Sequence, residues 1–127
     1  MTEDGTRIQL LEGIRVLDLS RIIAGPFCSQ ILGDMGAEVI KIEQPGVGDG
    51  ARYPFGGMGA NPIFELTNHG KKSVEIDLKD PRGKEAFLKL AARADVLIEG
   101  FRPDVMDRLG VGYEALRAVN PRLITRR

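Results

Sequence analysis

Cysteine and histidine are nearly absent from the 127 residues: there is one of each, Cys28 and His69. A single cysteine excludes an intramolecular disulfide and any metal site built from clustered thiolates, and it fits a reducing compartment. A single histidine excludes a histidine-rich metal centre and a two-histidine relay within the chain. Charge of one sign is also missing, with 18 Lys plus Arg against 18 Asp plus Glu. Broad nucleic-acid or membrane binding calls for a basic excess, and none is present. No stretch of about 18 continuous apolar residues occurs, and the polar start Met1–Arg7 is unlike a signal peptide. The expectation is a cytoplasmic protein with neither nucleic-acid nor membrane partners and no metal.

What is present suits one α/β domain. Apolar residues at 43% can bury a core, and charged residues at 28% are spread without low-complexity runs. Residues 14–19 alternate as a strand does. Ala24-Gly25-Pro26 then opens a helix with Pro26 at its first position. Cys28, Ile31, Leu32 and Met35 follow at helical spacing as one apolar face, which makes Cys28 a buried, inert thiol. Gly36 suits a left-handed helix end. Residues 37–43 read as a second strand, completing a βαβ unit.

Residues 44–72 hold seven of the 16 glycines and three of the seven prolines. A connection this long is usually functional or packed on something else, and it has room for a short helical turn at 63–65. Strands follow at 73–78 and 95–99. The helix between them is capped by Asp80-Pro81 and buries Phe87, Leu88, Leu90, Ala91 and Ala94. Short helices at about 103–109 and 113–119 precede a last strand starting near 122. The order predicts a mainly parallel, Rossmann-like sheet with flanking helices, the N-terminal part of a large domain. Residues 1–10 read as a leader and 11–127 as the folded segment.

In such sheets ligands gather at the carboxyl ends of strands. The turn Ala24-Gly25-Pro26 lies there, though any βα turn would. Neither G-x-G-x-x-G nor the phosphate-loop motif occurs, so Rossmann-style nucleotide binding is not supported. Gly100-Phe101-Arg102, with Arg108 beyond, combines close backbone approach, a stacking surface and bidentate phosphate donors. A solvated arginine pair beside a turn has the same spacing. Lys79, after Ile76-Asp77-Leu78, shares the same edge. Lys71-Lys72 reads as a solvated pair, and His69 as a loop histidine without a catalytic partner.

These stretches together resemble the family III CoA-transferases, the CaiB/BaiF-like group that also holds α-methylacyl-CoA racemase. The resemblance is carried by 11–20 (LEGIRVLDLS), 24–26 (AGP), 32–43 (LGDMGAEVIKIE), 46–49 (GVGD) with Arg52, 71–73 (KKS), 77–79 (DLK), 94–103 (ADVLIEGFRP), 108–110 (RLG) and 120–123 (NPRL). It implies a site for coenzyme A or acyl-CoA as substrate, a carboxylic acid acceptor and an interlocked homodimer. It places Ile76, Asp77, Leu78 and Lys79 beside the adenine. Gly100, Phe101, Arg102 and Arg108 fall on the adenosine and phosphates, and Ile22, Ile23 and Ala24 near the pantetheine arm. Two positions depart from the pattern. Gln44 stands where many members have a phosphate-binding arginine. Gly100, where transferases commonly have asparagine, is closer to the racemase branch.

In a complete transferase of the family, an aspartate attacks the acyl-CoA thioester and the CoA thiolate returns to form an enzyme thioester, which the acceptor carboxylate resolves. That aspartate lies beyond the equivalent of Arg127. So do the histidine and aspartate of the racemases. The resemblance therefore implies a chain that anchors CoA and is inactive alone. Its alternatives are a piece of a racemase-type isomerase or a non-enzymatic nucleotide-binding module.

Overall fold

The central strand, β1 (Arg15–Asp18), is buried on both faces. It pairs in parallel with β2 (Glu38–Glu43) on one side and β4 (Val96–Ile98) on the other. β3 (Lys72–Glu75) extends the sheet beyond β2, and β5 (Ile124–Arg126) extends it beyond β4. The strand order is therefore β3-β2-β1-β4-β5, all parallel, as expected. The computed structural model describes residues 5, 9–53 and 61–126. Most of the expected leader and the middle of the glycine-rich connection lie outside them.

The helices are α1 (Ala24–Asp34), α2 (Pro62–Asn68), α3 (Pro81–Ala91), α4 (Val105–Arg108) and α5 (Tyr113–Val119). Asp80 caps α3 by accepting from the Arg82 N–H, with Pro81 next in line. Gly36 takes φ +105° just past α1. Asn61, whose side chain accepts from the Ile63 N–H, starts α2, so the turn expected at 63–65 is a two-turn helix. α1 corrects the sequence reading: it begins at Ala24, so Pro26 is third in the helix. Pro26 is tolerated there because N–H groups in the first turn have no helical acceptor.

The two faces of the sheet are covered differently. Leu17, Ile42, Phe87, Ala91, Leu97, Met106 and Leu116 form the larger apolar core, under α3, α4 and α5. Across the sheet the apolar cluster is small, with Val16, Val39 and Ile98 buried and Leu32 of α1 packed on them. The residues that α1 buries are Pro26, Ser29 and Gln30. The apolar face expected to be inside is largely outside: Ile31 and Met35 are 42% and 41% exposed, and the neighbouring Phe27 is 56% exposed. Cys28 is exposed too, contrary to the sequence reading. The physical reason is on the strands. Asp18 and Lys41 sit opposite one another in register and point to the α1 face, so α1 meets them with its polar side.

Candidate functional site

The order of strands reverses between β1 and β4, and a crevice at the carboxyl edge follows from that reversal. A cavity of about 200 Å³ lies along this edge. Leu19 and Arg21 line it from the end of β1, and Ile42, Glu43 and Gln44 from the end of β2. Ile76, Asp77, Leu78 and Lys79 follow β3; Phe101 follows β4; Val105 and Leu109 come from α4 and the residue after it. Its floor is apolar and its rim carries both signs of charge, which suits an amphipathic ligand with anionic groups.

Of the sequence-predicted residues, the structure gathers Ile76, Asp77, Leu78, Lys79 and Phe101 around this cavity. Ile22, Ile23 and Ala24 are exposed on the β1–α1 turn. Gly100, Arg102 and Arg108 are exposed and do not line the cavity. Arg21 does line it, and its guanidinium carbon lies 5.6 Å from the centre of the Phe101 ring. Sequence reasoning missed Arg21. Its position directly after the first strand and Ser20 was the available signal.

Under the turn is a second feature that the sequence did not show. Asp18 is fully buried. It accepts from the Ser20 hydroxyl, from the Ser20 N–H at 2.8 Å, from Ser29 Oγ, and from Lys71 Nζ at 3.0 Å. Burial alone would raise its carboxyl pKa. The charges of Lys41 and Lys71 and the two serine hydroxyls outweigh that and hold it below the ordinary range. Lys71 also reaches the Pro26 carbonyl at 2.9 Å and Asn68 Oδ1 at 2.9 Å. The expected solvated lysine pair therefore divides: Lys71 is buried, while Lys72 is exposed and pairs with Glu38.

Lys41 pairs with Asp49 at 2.8 Å, the two side chains being 2% and 1% exposed. Asp49 accepts from the N–H groups of Ile22 and Ala51. Glu43 next door accepts two hydrogen bonds from Arg52, one from Ser73 and one from the Asp49 N–H. The Arg52 guanidinium is the largest influence on Glu43 and draws its pKa down to about 2. These carboxylates are all engaged in ion pairs. His69 pairs with Asp34 at 3.0 Å on the surface, away from the cavity. Among the described residues no group of His, Cys, Asp and Glu could hold a metal ion. No helix among them is long and apolar enough to cross a membrane.

A parallel sheet in this order, with helices packed on it, defines an α/β fold with a cavity at its strand reversal. The chain belongs to CoA-transferase family III, whose model matches residues 11–127. It is 44% identical over 116 residues to a formyl-CoA:oxalate CoA-transferase from Bradyrhizobium, covering 90% of this chain and 27% of that protein. An acetyl-CoA:oxalate CoA-transferase from Acetobacter aceti is 47% identical over 114 residues, covering 89% of this chain and 29% of that protein. The chain thus spans well under a third of these relatives. Among solved structures, Rv3272 from M. tuberculosis superposes with a TM-score of 0.85 at 44% identity, over 94% of this chain and 34% of that one. A CaiB/BaiF family protein from Brucella suis superposes at 0.82 and 40%, over 91% and 32%.

Proposed function

We propose that this chain is the CoA-anchoring unit, residues 11–127, of a cytoplasmic acyl-CoA:carboxylate CoA-transferase that works as a homodimer. The observation that carries the reading is the carboxyl-edge cavity with Phe101, Lys79 and Arg21 on its walls. Phe101 offers a face for adenine. Lys79 and Arg21 offer cationic donors for phosphate, and Arg102 and Arg108 stand on the exposed surface beyond. Gln44, on the cavity wall, brings a neutral amide where an arginine would add a charge. The similarity to several named CoA-transferases favours CoA transfer over the racemase alternative.

The chemical step is assigned to no residue of this chain. The buried carboxylates Asp18, Glu43 and Asp49 are each held by a cation, which leaves a poor nucleophile. The part played here is binding a remote portion of the substrate, which helps to place the reacting thioester. Titration calorimetry with CoA, dephospho-CoA and ATP tests this. CoA should bind most tightly. Equal affinity for all three would instead favour a general nucleotide-binding module. An acyl-CoA exchange assay should show no turnover by the chain alone, and robust exchange would overturn that part of the proposal.

A further inference from the structure

Ile22 has φ +71°. This left-handed region is natural for glycine and tolerated by asparagine, but a β-branched residue there is a genuine outlier. Nothing local in Arg21-Ile22-Ile23 favours it, so surrounding structure must impose it. The restraint is visible. The Ile22 N–H points between the two Asp49 oxygens, at 3.0 and 3.3 Å. Lys41, which holds Asp49, also donates to the Ser20 carbonyl at 3.1 Å. One buried ion pair therefore grips the turn at two points two residues apart. Lys71 holds the start of α1 just beyond, at the Pro26 carbonyl. Gly25 packs so tightly beneath the turn that a Cβ there would lie 2.1 Å from the Ser20 Cβ.

We infer that the buried Lys41–Asp49 pair is a clasp that positions the β1–α1 turn for the pantetheine-bearing part of CoA. Neither member lines the cavity, so both are positioning residues. The inference rests on the CoA reading above. It also gives the glycine-rich connection a task. Asp49 comes from its start and Lys71 from its end, and both reach back under the turn after β1. A buried ion pair is often no more stabilising than apolar residues of similar size, so stability alone does not explain this one.

That fact supplies the test. Lys41→Met with Asp49→Leu removes both charges without leaving either unpaired, and the variant is expected to fold. Calorimetry on the whole chain would compare CoA with adenosine 3′,5′-bisphosphate, which lacks the pantetheine arm. Amide hydrogen exchange would follow Ile22 without ligand. If the freed turn holds its binding shape about one-tenth of the time, CoA weakens about tenfold. The bisphosphate should stay within about twofold, and Ile22 exchange should accelerate while Leu97 in the core stays slow. Unchanged CoA affinity overturns the clasp, and equal weakening of both ligands shows general damage and also overturns it. If the double variant does not fold, Asp49→Asn removes the charge that pairs with Lys41 at nearly unchanged size; unchanged CoA affinity together with unchanged Ile22 exchange there is equally fatal. A wild-type chain that takes up neither ligand refutes the CoA reading. Exchange then decides the clasp alone: an unprotected Ile22 amide overturns it, and protection that vanishes with the ion pair supports it.

Discussion

The two faces of the sheet solve the same packing problem with opposite materials. On one, Leu17 and Leu97 meet Phe87 of α3 and Leu116 of α5 in an ordinary apolar core. On the other, Asp18, Lys41 and Glu43 meet Ser29, Asp49, Lys71 and Arg52 in a network of ion pairs and hydrogen bonds. Adjacent residues of one strand belong to different worlds: Leu17 to the first and Asp18 to the second. The lesson is about tolerance. An apolar core of right volume accepts many substitutions, because its forces are non-directional. A buried charge network fixes particular atoms in particular places and fails badly when one member is lost. The face that needs fixed geometry is the one under the β1–α1 turn.

The largest expected effect breaks that comparison at its seam. Leu17→Ala leaves a cavity and should cost about 2–5 kcal/mol, read as a shifted denaturant midpoint. Asp18→Ala strands Lys71 and should cost about 3–5 kcal/mol. The two faces part company in the rescue. Adding Lys71→Met to Asp18→Ala should recover about half of the loss or more, because the uncompensated charge goes with it. No recovery would mean that the network works by packing alone, and the contrast between the faces would collapse.

A smaller effect separates two glycines beside Ser20. At Gly25 a Cβ would lie 2.1 Å from the Ser20 Cβ, whereas at Gly100 the nearest atom would be 3.7 Å away. Gly25→Ala should cost about 1–3 kcal/mol by forcing the turn apart. Gly100→Ala should change the thermal midpoint by little, within about 0.5 kcal/mol. A ranking in the other order would show that the turn is not tightly braced.

Acid should act on the ionic face first. Glu43 falls from an ordinary 4.5 to about 2 in the folded chain. Asp18 and Asp49 are also lowered from 3.8, against the desolvation that would raise them. A carboxyl that is more acidic when folded binds fewer protons than when unfolded. Its contribution is complete above the unfolded pKa and fades as pH falls through the folded one. The thermal midpoint should therefore decline from about pH 4.5 toward pH 2. Glu43→Gln should flatten part of that decline. An unchanged slope would remove Glu43 from the account.

The apolar face was legible in the sequence and the ionic face was not, for a physical reason. Phe87, Ala91 and Ala94 announce themselves by helical period, and a buried parallel strand such as Val96–Ile98 by its continuous apolar run. The order of elements followed from the same signals. Of the cavity's lining, Lys79 and Phe101 stood out because each follows an expected strand, and Ile76 to Leu78 were named through the family resemblance. Arg21 follows one too, but beside Ile22 and Ile23 it reads as ordinary turn. Lys71 looked solvated because its partner Asp18 is 53 residues away. No local pattern records a long-range ion pair. The same blindness inverted α1: periodicity reports which side of a helix is apolar, not which side the fold buries.

That inversion carries the smallest expected effect on stability. Phe27, Ile31 and Met35 form an apolar stripe on the outside of α1, with Ile23 at its start. Ile31→Gln and Met35→Gln remove apolar groups that are substantially exposed to solvent, so the denaturant midpoint should move by no more than about 0.5 kcal/mol. Their effect on association should be larger. If the stripe meets a second copy of the chain in the proposed homodimer, sedimentation velocity should show the wild type moving to heavier species as concentration rises and the double variant staying lighter. A wild type that sediments as a monomer throughout would detach the stripe from self-association. A variant that loses stability as steeply as Leu17→Ala would mean that the outer side of α1 is core after all, and that the two faces of the sheet are more alike than their chemistry suggests.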